Sequence, residues 1–182
     1  MMKNTSRFFL VFLFLAAGVL LRLVPHPWNF TPIGAMALLG GAKLGRRPLL
    51  AFGIPLGALF LGDLLLELVT GWGFHSGMPV VYGSFAASVV IGLVVGRHGS
   101  SPRAIFGGAG ASAVLFYLTT NFWMWTVSEL YPPTLGGLVA CYLAALPFLA
   151  WQLAGDIVFA GIFFGAWTWI ETRLASDRPL AP

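Results

Sequence analysis

Between short links the sequence runs apolar for lengths that match a lipid bilayer. The stretch from Pro48 to Val69 reads PLLAFGIPLGALFLGDLLLELV, with Asp63 and Glu67 its only charges. A hydrocarbon core of about 30 Å takes roughly 20 helical residues to cross. In lipid the backbone must satisfy its own hydrogen bonds, so such a segment has to be a helix. Segments of this kind recur, and crossings are expected over residues 8–24, 31–45, 48–69, 79–96, 104–127 and 147–169. Between the last two lies LYPPTLGGLVACYLAALP, whose helical patch of about a dozen residues from Leu135 is too short to span. The expected fold is all-α and integral to the membrane. It is a six-crossing helical bundle, a single multi-pass domain over residues 1–182, with a short lateral or re-entrant helix before the last crossing.

Composition points to the same solvent. Hydrophobic residues make up 58% of the chain and charged residues 9%, whereas a soluble domain carries about a quarter charged. Such a chain cannot cover its own surface in water, and the lipid bilayer is its expected partner. The net charge of +4 does not indicate nucleic acid, because the basic residues fall between apolar segments rather than along one face. Cys141 is the single cysteine, which excludes an intrachain disulfide and a cysteine-based zinc cluster. No metal site or cofactor motif is present in the sequence.

The basic residues also set the orientation. Lys3 and Arg7 precede the first crossing; Lys43, Arg46 and Arg47 lie between the second and third; Arg97 and Arg103 lie between the fourth and fifth; Arg173 and Arg178 follow the sixth. The connections PHPWNF, GWGFHSGM and SELYPPTLGG contain no lysine or arginine. The positive-inside rule makes the first set of links, and with them both termini, cytoplasmic. The start, MMKNTSRFFLVFLFLAAG, has the basic and apolar regions of a signal peptide. Its apolar run continues past Ala17 without a clear cleavage site, so it is read as the first crossing.

Polar groups are unevenly distributed in depth. At about 1.5 Å per residue, Asp63 lies ~22 Å above the cytoplasmic end of its helix, with Glu67 one turn beyond. Arg22 reaches a similar height on the first crossing, Asn121 sits near the outer end of the fifth, and Asp156 is ~13 Å below the outer end of the sixth. Tyr82 is near the outer end of the fourth, and Asn29, His26 and His75 lie on outer loops. The inner halves, such as VVIGLVVG and FGGAGASAV, are apolar or small. A channel needs polar groups at successive depths, and here they stop near the middle. Ionisable groups inside a membrane are functional candidates, normally with a partner. Arg22 can neutralise only one of three acids, which leaves acid for a ligand, a cation or a proton. The aromatics of TNFWMW are read as interfacial anchors, and Cys141 as a small core residue.

The stretches PHPWNFTPIGAMALLGG, TTNFWMW and LYPPTLGGLVACYLAALPF resemble an uncharacterised family of small bacterial integral-membrane proteins. The layout more distantly resembles the substrate-binding (S) subunits of energy-coupling-factor vitamin transporters and the solitary cobalamin transporters of the BtuM type. The resemblance implies an S-component-like fold with an external pocket, transporter partner subunits, and an inner-membrane location. His26 and Asp63 loosely match a histidine after helix one and an acid late in helix three. The loop GWGFHSGMP lacks the cobalt-ligating cysteine of the BtuM type, so cobalamin does not carry over as substrate. The first helix also lacks the A-x-x-x-A pattern by which S subunits dock their partner, so an energised partner does not carry over either.

The resulting expectation is a transport protein that captures a small molecule, such as a vitamin or cofactor precursor, in a pocket open to the periplasm. The expected ligand-binding residues are Arg22, His26, Asn29, Asp63, Glu67, His75, Tyr82, Asn121 and Asp156. No catalytic residue is expected. One alternative is a structural or assembly protein whose buried charges hold the bundle together. The other is a membrane enzyme using Asp63, Glu67 or His75 as acid or base.

Overall fold

The computed structural model describes residues 27–176, together with residues 13, 16 and 18–21. Among the described residues from 27 onward six helices follow one another: α1 (Ile33–Leu44), α2 (Pro48–Thr70), α3 (Met78–Arg97), α4 (Pro102–Val127), α5 (Leu135–Ala144) and α6 (Leu146–Ser176). Among the described residues there is no strand. Residues 13, 16 and 18–21, inside the first expected crossing, are helical. The rest of that crossing, with Arg22 and His26, lies outside the described residues.

Helices α2, α3, α4 and α6 are long and apolar enough to cross a membrane. Their outer faces carry uncovered Phe60, Leu61, Val90, Val94, Val114, Leu118, Val158 and Ile162. In water this surface would drive aggregation; against lipid tails it is an ordinary outer face. The structure therefore fits a membrane protein with four long crossings among the described residues. The second expected crossing is different. Helix α1 has 12 residues, about 18 Å of rise, well short of the hydrocarbon core.

Helix α1 lies at the centre of the bundle rather than in its wall. Every residue from Ile33 to Gly41 is buried, and the helix packs on α2, α3, α4 and α6. Glycines make that close approach. A Cβ on Gly41 would strike the Val89 carbonyl of α3, and one on Gly92 would strike the Leu38 carbonyl of α1. A Cβ on Gly96 would lie 2.6 Å from the Ala42 carbonyl oxygen. Small residues that let backbones touch are the usual adhesive between helices in lipid, where burial of apolar surface gives no driving force. On the other side, Gly40 approaches the Ala51 carbonyl of α2. Pro55 lies inside α2 and has no N–H, so that carbonyl lacks its ordinary helical donor and is open to the neighbour.

The short helix α5 is pinned to α4 by reciprocal bonds. The Tyr117 hydroxyl donates to the Tyr142 carbonyl at 2.6 Å, and the Tyr142 hydroxyl donates to the Leu118 carbonyl at 2.7 Å. Thr134 caps its start by accepting from the Gly137 N–H. The links 45–47 and 98–101 and the end of α6 share one end of the bundle, which collects Lys43, Arg46, Arg47, Arg97, Arg103 and Arg173. Among the described residues, the opposite end holds the turn at 27–31, the loop 71–77 and the loop 128–134, which contain no lysine or arginine.

Candidate functional site

At the loop end, the start of α3, the end of α4 and the start of α6 enclose a cavity of about 270 Å³. Its polar lining is Asn29, His75, Thr120 and Asn121, and its apolar wall includes Val80, Val81, Phe116, Trp123 and Phe148. Local structure explains each placement. Asn29 has a positive φ of 65° in a tight turn closed by the Phe30 N–H donating to the Pro27 carbonyl. Asparagine is one of the few residues that accept this conformation readily. Helix α2 ends at Gly71, with φ 72°, and the chain turns back into the loop that carries His75.

That loop is held by Glu67. Its Oε2 accepts from the Gly73 N–H at 2.8 Å and from the Phe74 N–H at 3.0 Å, while its carbonyl accepts from the Gly71 N–H. His75 is then fixed by the Gly77 N–H, which donates to Nδ1 at 3.2 Å. With Nδ1 accepting, the neutral ring carries its proton on Nε2. Gly77 leaves room for the Trp123 ring, since a Cβ there would lie 2.8 Å from it.

On α4, Thr120 donates to the Phe116 carbonyl and the Asn121 amide nitrogen donates to the Tyr117 carbonyl. The Asn121 amide oxygen and the Thr120 lone pairs are left as acceptors. The cavity thus offers donors and acceptors between aromatic faces. Among the described residues its lining contains no aspartate, glutamate, lysine or arginine.

The structure brings three of the expected binding residues, Asn29, His75 and Asn121, to this one cavity. It distributes the acids elsewhere. Asp63 is buried on α2 and accepts from the Tyr82 hydroxyl at 2.7 Å, an inter-helix bond between α2 and α3. Glu67 serves the loop. Asp156 is 1% exposed on α6, two turns below Phe148, and accepts from the Gln152 amide at 3.0 Å. Its second oxygen has no partner among the described residues and abuts Gly34, in the first turn of α1. The first N–H groups of a helix lack intrahelical partners, and their dipole favours a carboxylate at that spot. Arg22 and His26 lie outside the described residues.

Thr120, Trp123, Phe148 and Gly77 were not among the expected site residues. A signal existed for two of them: Phe116, Thr120 and Trp123 recur at helical spacing along α4 and so share a face. Trp123, expected as a lipid-interface anchor, turns inward to the cavity, while Trp125 donates its indole N–H to the Pro132 carbonyl at 3.1 Å. No group of three or more histidine, cysteine, aspartate or glutamate side chains among the described residues could hold a metal ion.

Neither a curated protein nor a solved structure matches the chain. The model of a family described as "Family of unknown function (DUF6580)" matches residues 2–178 of the 182, and the chain belongs to that family.

Proposed function

We propose that the protein captures a small molecule from the periplasmic face of a bacterial inner membrane and is the binding component of a transport process. On this reading both termini are cytoplasmic, the bundle has six crossings with α1 as the short second one, and the layout is S-component-like. The observation that carries the proposal is the loop-end cavity. Three separate chain segments bring convergent hydrogen-bonding groups and aromatic rings to it, the combination that small-molecule sites use. Its volume of about 270 Å³ is just below the range of drug-sized sites, roughly 300–1,000 Å³.

The lining chemistry narrows the ligand to an uncharged, flat molecule with heteroatoms on its edge. His75 donates from Nε2, Asn121 and Asn29 donate and accept, and Trp123 and Phe148 stack. An ionic ligand would find no counter-charge in the described lining, and desolvating it would be costly. Asp63, Glu67 and Asp156, expected among the ligand-binding residues, have internal duties with Tyr82, with the 73–74 amides and with Gln152.

Those duties also favour one competing reading, a structural protein whose buried charges only fasten helices. The two separate by experiment. Purified protein in detergent is titrated with a panel of uncharged heteroaromatic compounds, following thermal stabilisation. The capture reading expects binders whose midpoints weaken at least tenfold in His75→Ala and Asn121→Ala, with unliganded melting temperatures unchanged. If both variants melt early and no compound stabilises the wild type, the structural reading stands instead.

A further inference from the structure

At the opposite end from the capture cavity, the last turns of α1 and α3 lie side by side and frame a second cavity of about 400 Å³. Its walls are largely free of side chains, being Gly41, Ala42, Gly45 and Gly96, while Lys43, Arg46 and Arg97 line it from three positions. We propose that this cavity binds the phosphate group of an anionic phospholipid, with Lys43, Arg46 and Arg97 as its ligands.

Charge complementarity is the first argument. Lys43 has one acid near it, Glu171 on α6, at 4.0 Å. Among the described residues, Arg46 and Arg97 have no ion-pair partner and no side-chain hydrogen bond, so two guanidinium groups present their donors to the cavity unneutralised. Guanidinium forks suit phosphate oxygens, which they grip with paired N–H donors. The negative ends of α1 and α3 favour cations here in any case. That accounts for basic residues at helix ends. It does not account for a shared cavity that all three basic side chains line, at the edge of a helix contact so close that a Cβ on Gly41, Gly45 or Gly96 would strike the facing helix.

The second argument is what adjoins the cavity. Arg97 ends a face of α3 on which Val94 and Val90 precede it at helical spacing, and both are about half exposed. Leu93 lines the cavity itself. An apolar track therefore runs from the cationic cavity along the outer face of a helix long enough to cross a membrane. A phospholipid has the matching shape, with its phosphate in the cavity and an acyl chain along Val90 and Val94. Basic pockets between transmembrane helices recognise anionic headgroups by this logic. Free phosphate shares the headgroup chemistry but has no use for the track.

The test is native mass spectrometry of the full chain in detergent, with phosphatidylglycerol, phosphatidylcholine or inorganic phosphate added in turn. The expected result is one phosphatidylglycerol per protein, held in preference to phosphatidylcholine. Arg46→Gln with Arg97→Gln should weaken it about 25-fold, taking roughly fivefold for each basic side chain removed. A control of equal charge, Arg47→Gln with Arg103→Gln, changes two basic residues of the same end that do not line the cavity, and should retain the lipid. Equal loss in the control pair would overturn the site in favour of diffuse surface attraction. Inorganic phosphate displacing the lipid at comparable concentration would overturn the lipid assignment. If the double variant fails to fold, Arg46→Gln and Arg97→Gln are compared singly with Arg47→Gln, and the same ranking decides.

Discussion

Tyr82 and Asp63 show how a hydroxyl on a facing helix lowers the cost of a buried acid. The carboxylate would be expensive in the bundle without a donor, and Tyr82 supplies one from the facing helix at 2.7 Å. Tyr82→Phe keeps the ring and removes the donor. It should lower stability by about 1.5–3 kcal/mol, the range for a hydrogen bond to a charged group, read as an earlier unfolding midpoint in detergent. A midpoint equal to wild type would mean that Asp63 does not depend on this bond. Cys141 is a second case: it is 2% exposed, and burial pushes its thiol pKa up. Only the thiolate reacts, so modification by N-ethylmaleimide should be slow at neutral pH, quicken as the pH rises, and become rapid on unfolding. The sequence identified Asp63, Glu67, His75 and Asn121 as notable because polar residues are rare in this chain. It could not assign their partners. Glu67 meets amides six and seven residues later only because Gly71 turns the chain, and Asp156 meets Gly34 with four helices between them in the sequence.

Among the elements, the long helices were legible from hydropathy, their starts to within two residues, while the last helix runs on to Ser176, seven residues past its expected end. The expected spans 48–69, 79–96, 104–127 and 147–169 lie within or close to α2, α3, α4 and α6. The role of α1 was not legible. Its apolar run looked like a shortened crossing, and nothing local reveals that neighbours surround it on all sides. The clue lay in glycine spacing, Gly40 and Gly41 on α1 with Gly92 and Gly96 on α3, which acquires meaning only once the two helices are adjacent. The contrast between glycines supplies a test. Gly41→Leu must push against the Val89 carbonyl and should cost about 3 kcal/mol or more, the upper range for overpacking. Gly57→Leu on α2 meets nothing within 4 Å and should change stability little. Equal melting temperatures for the two variants would refute the glycine-packed centre. Gly77→Ala is subtler: it should leave the bundle intact while displacing the Trp123 ring that borders the cavity.

Among the described residues the molecule has two unlike ends, a cationic one at the close of α1 and α3 and an aromatic one beneath loops that carry no lysine or arginine. On the proposed orientation, with the basic end cytoplasmic, cysteines introduced at Ser76 and Glu129 in a Cys141→Ala background should react with an impermeant reagent from the periplasm. Those at Gly45 and Ser100 should not, and the reverse pattern would turn the capture cavity toward the cytoplasm. The most direct measurement of the central claim is native mass spectrometry of the protein as isolated from its membrane. The account expects an adduct of small, uncharged mass that is present in the wild type, is lost in His75→Ala and Asn121→Ala, and survives Arg46→Gln with Arg97→Gln. An adduct retained by both cavity variants, or protein that is bare from every preparation while folded, would contradict capture at the loop end.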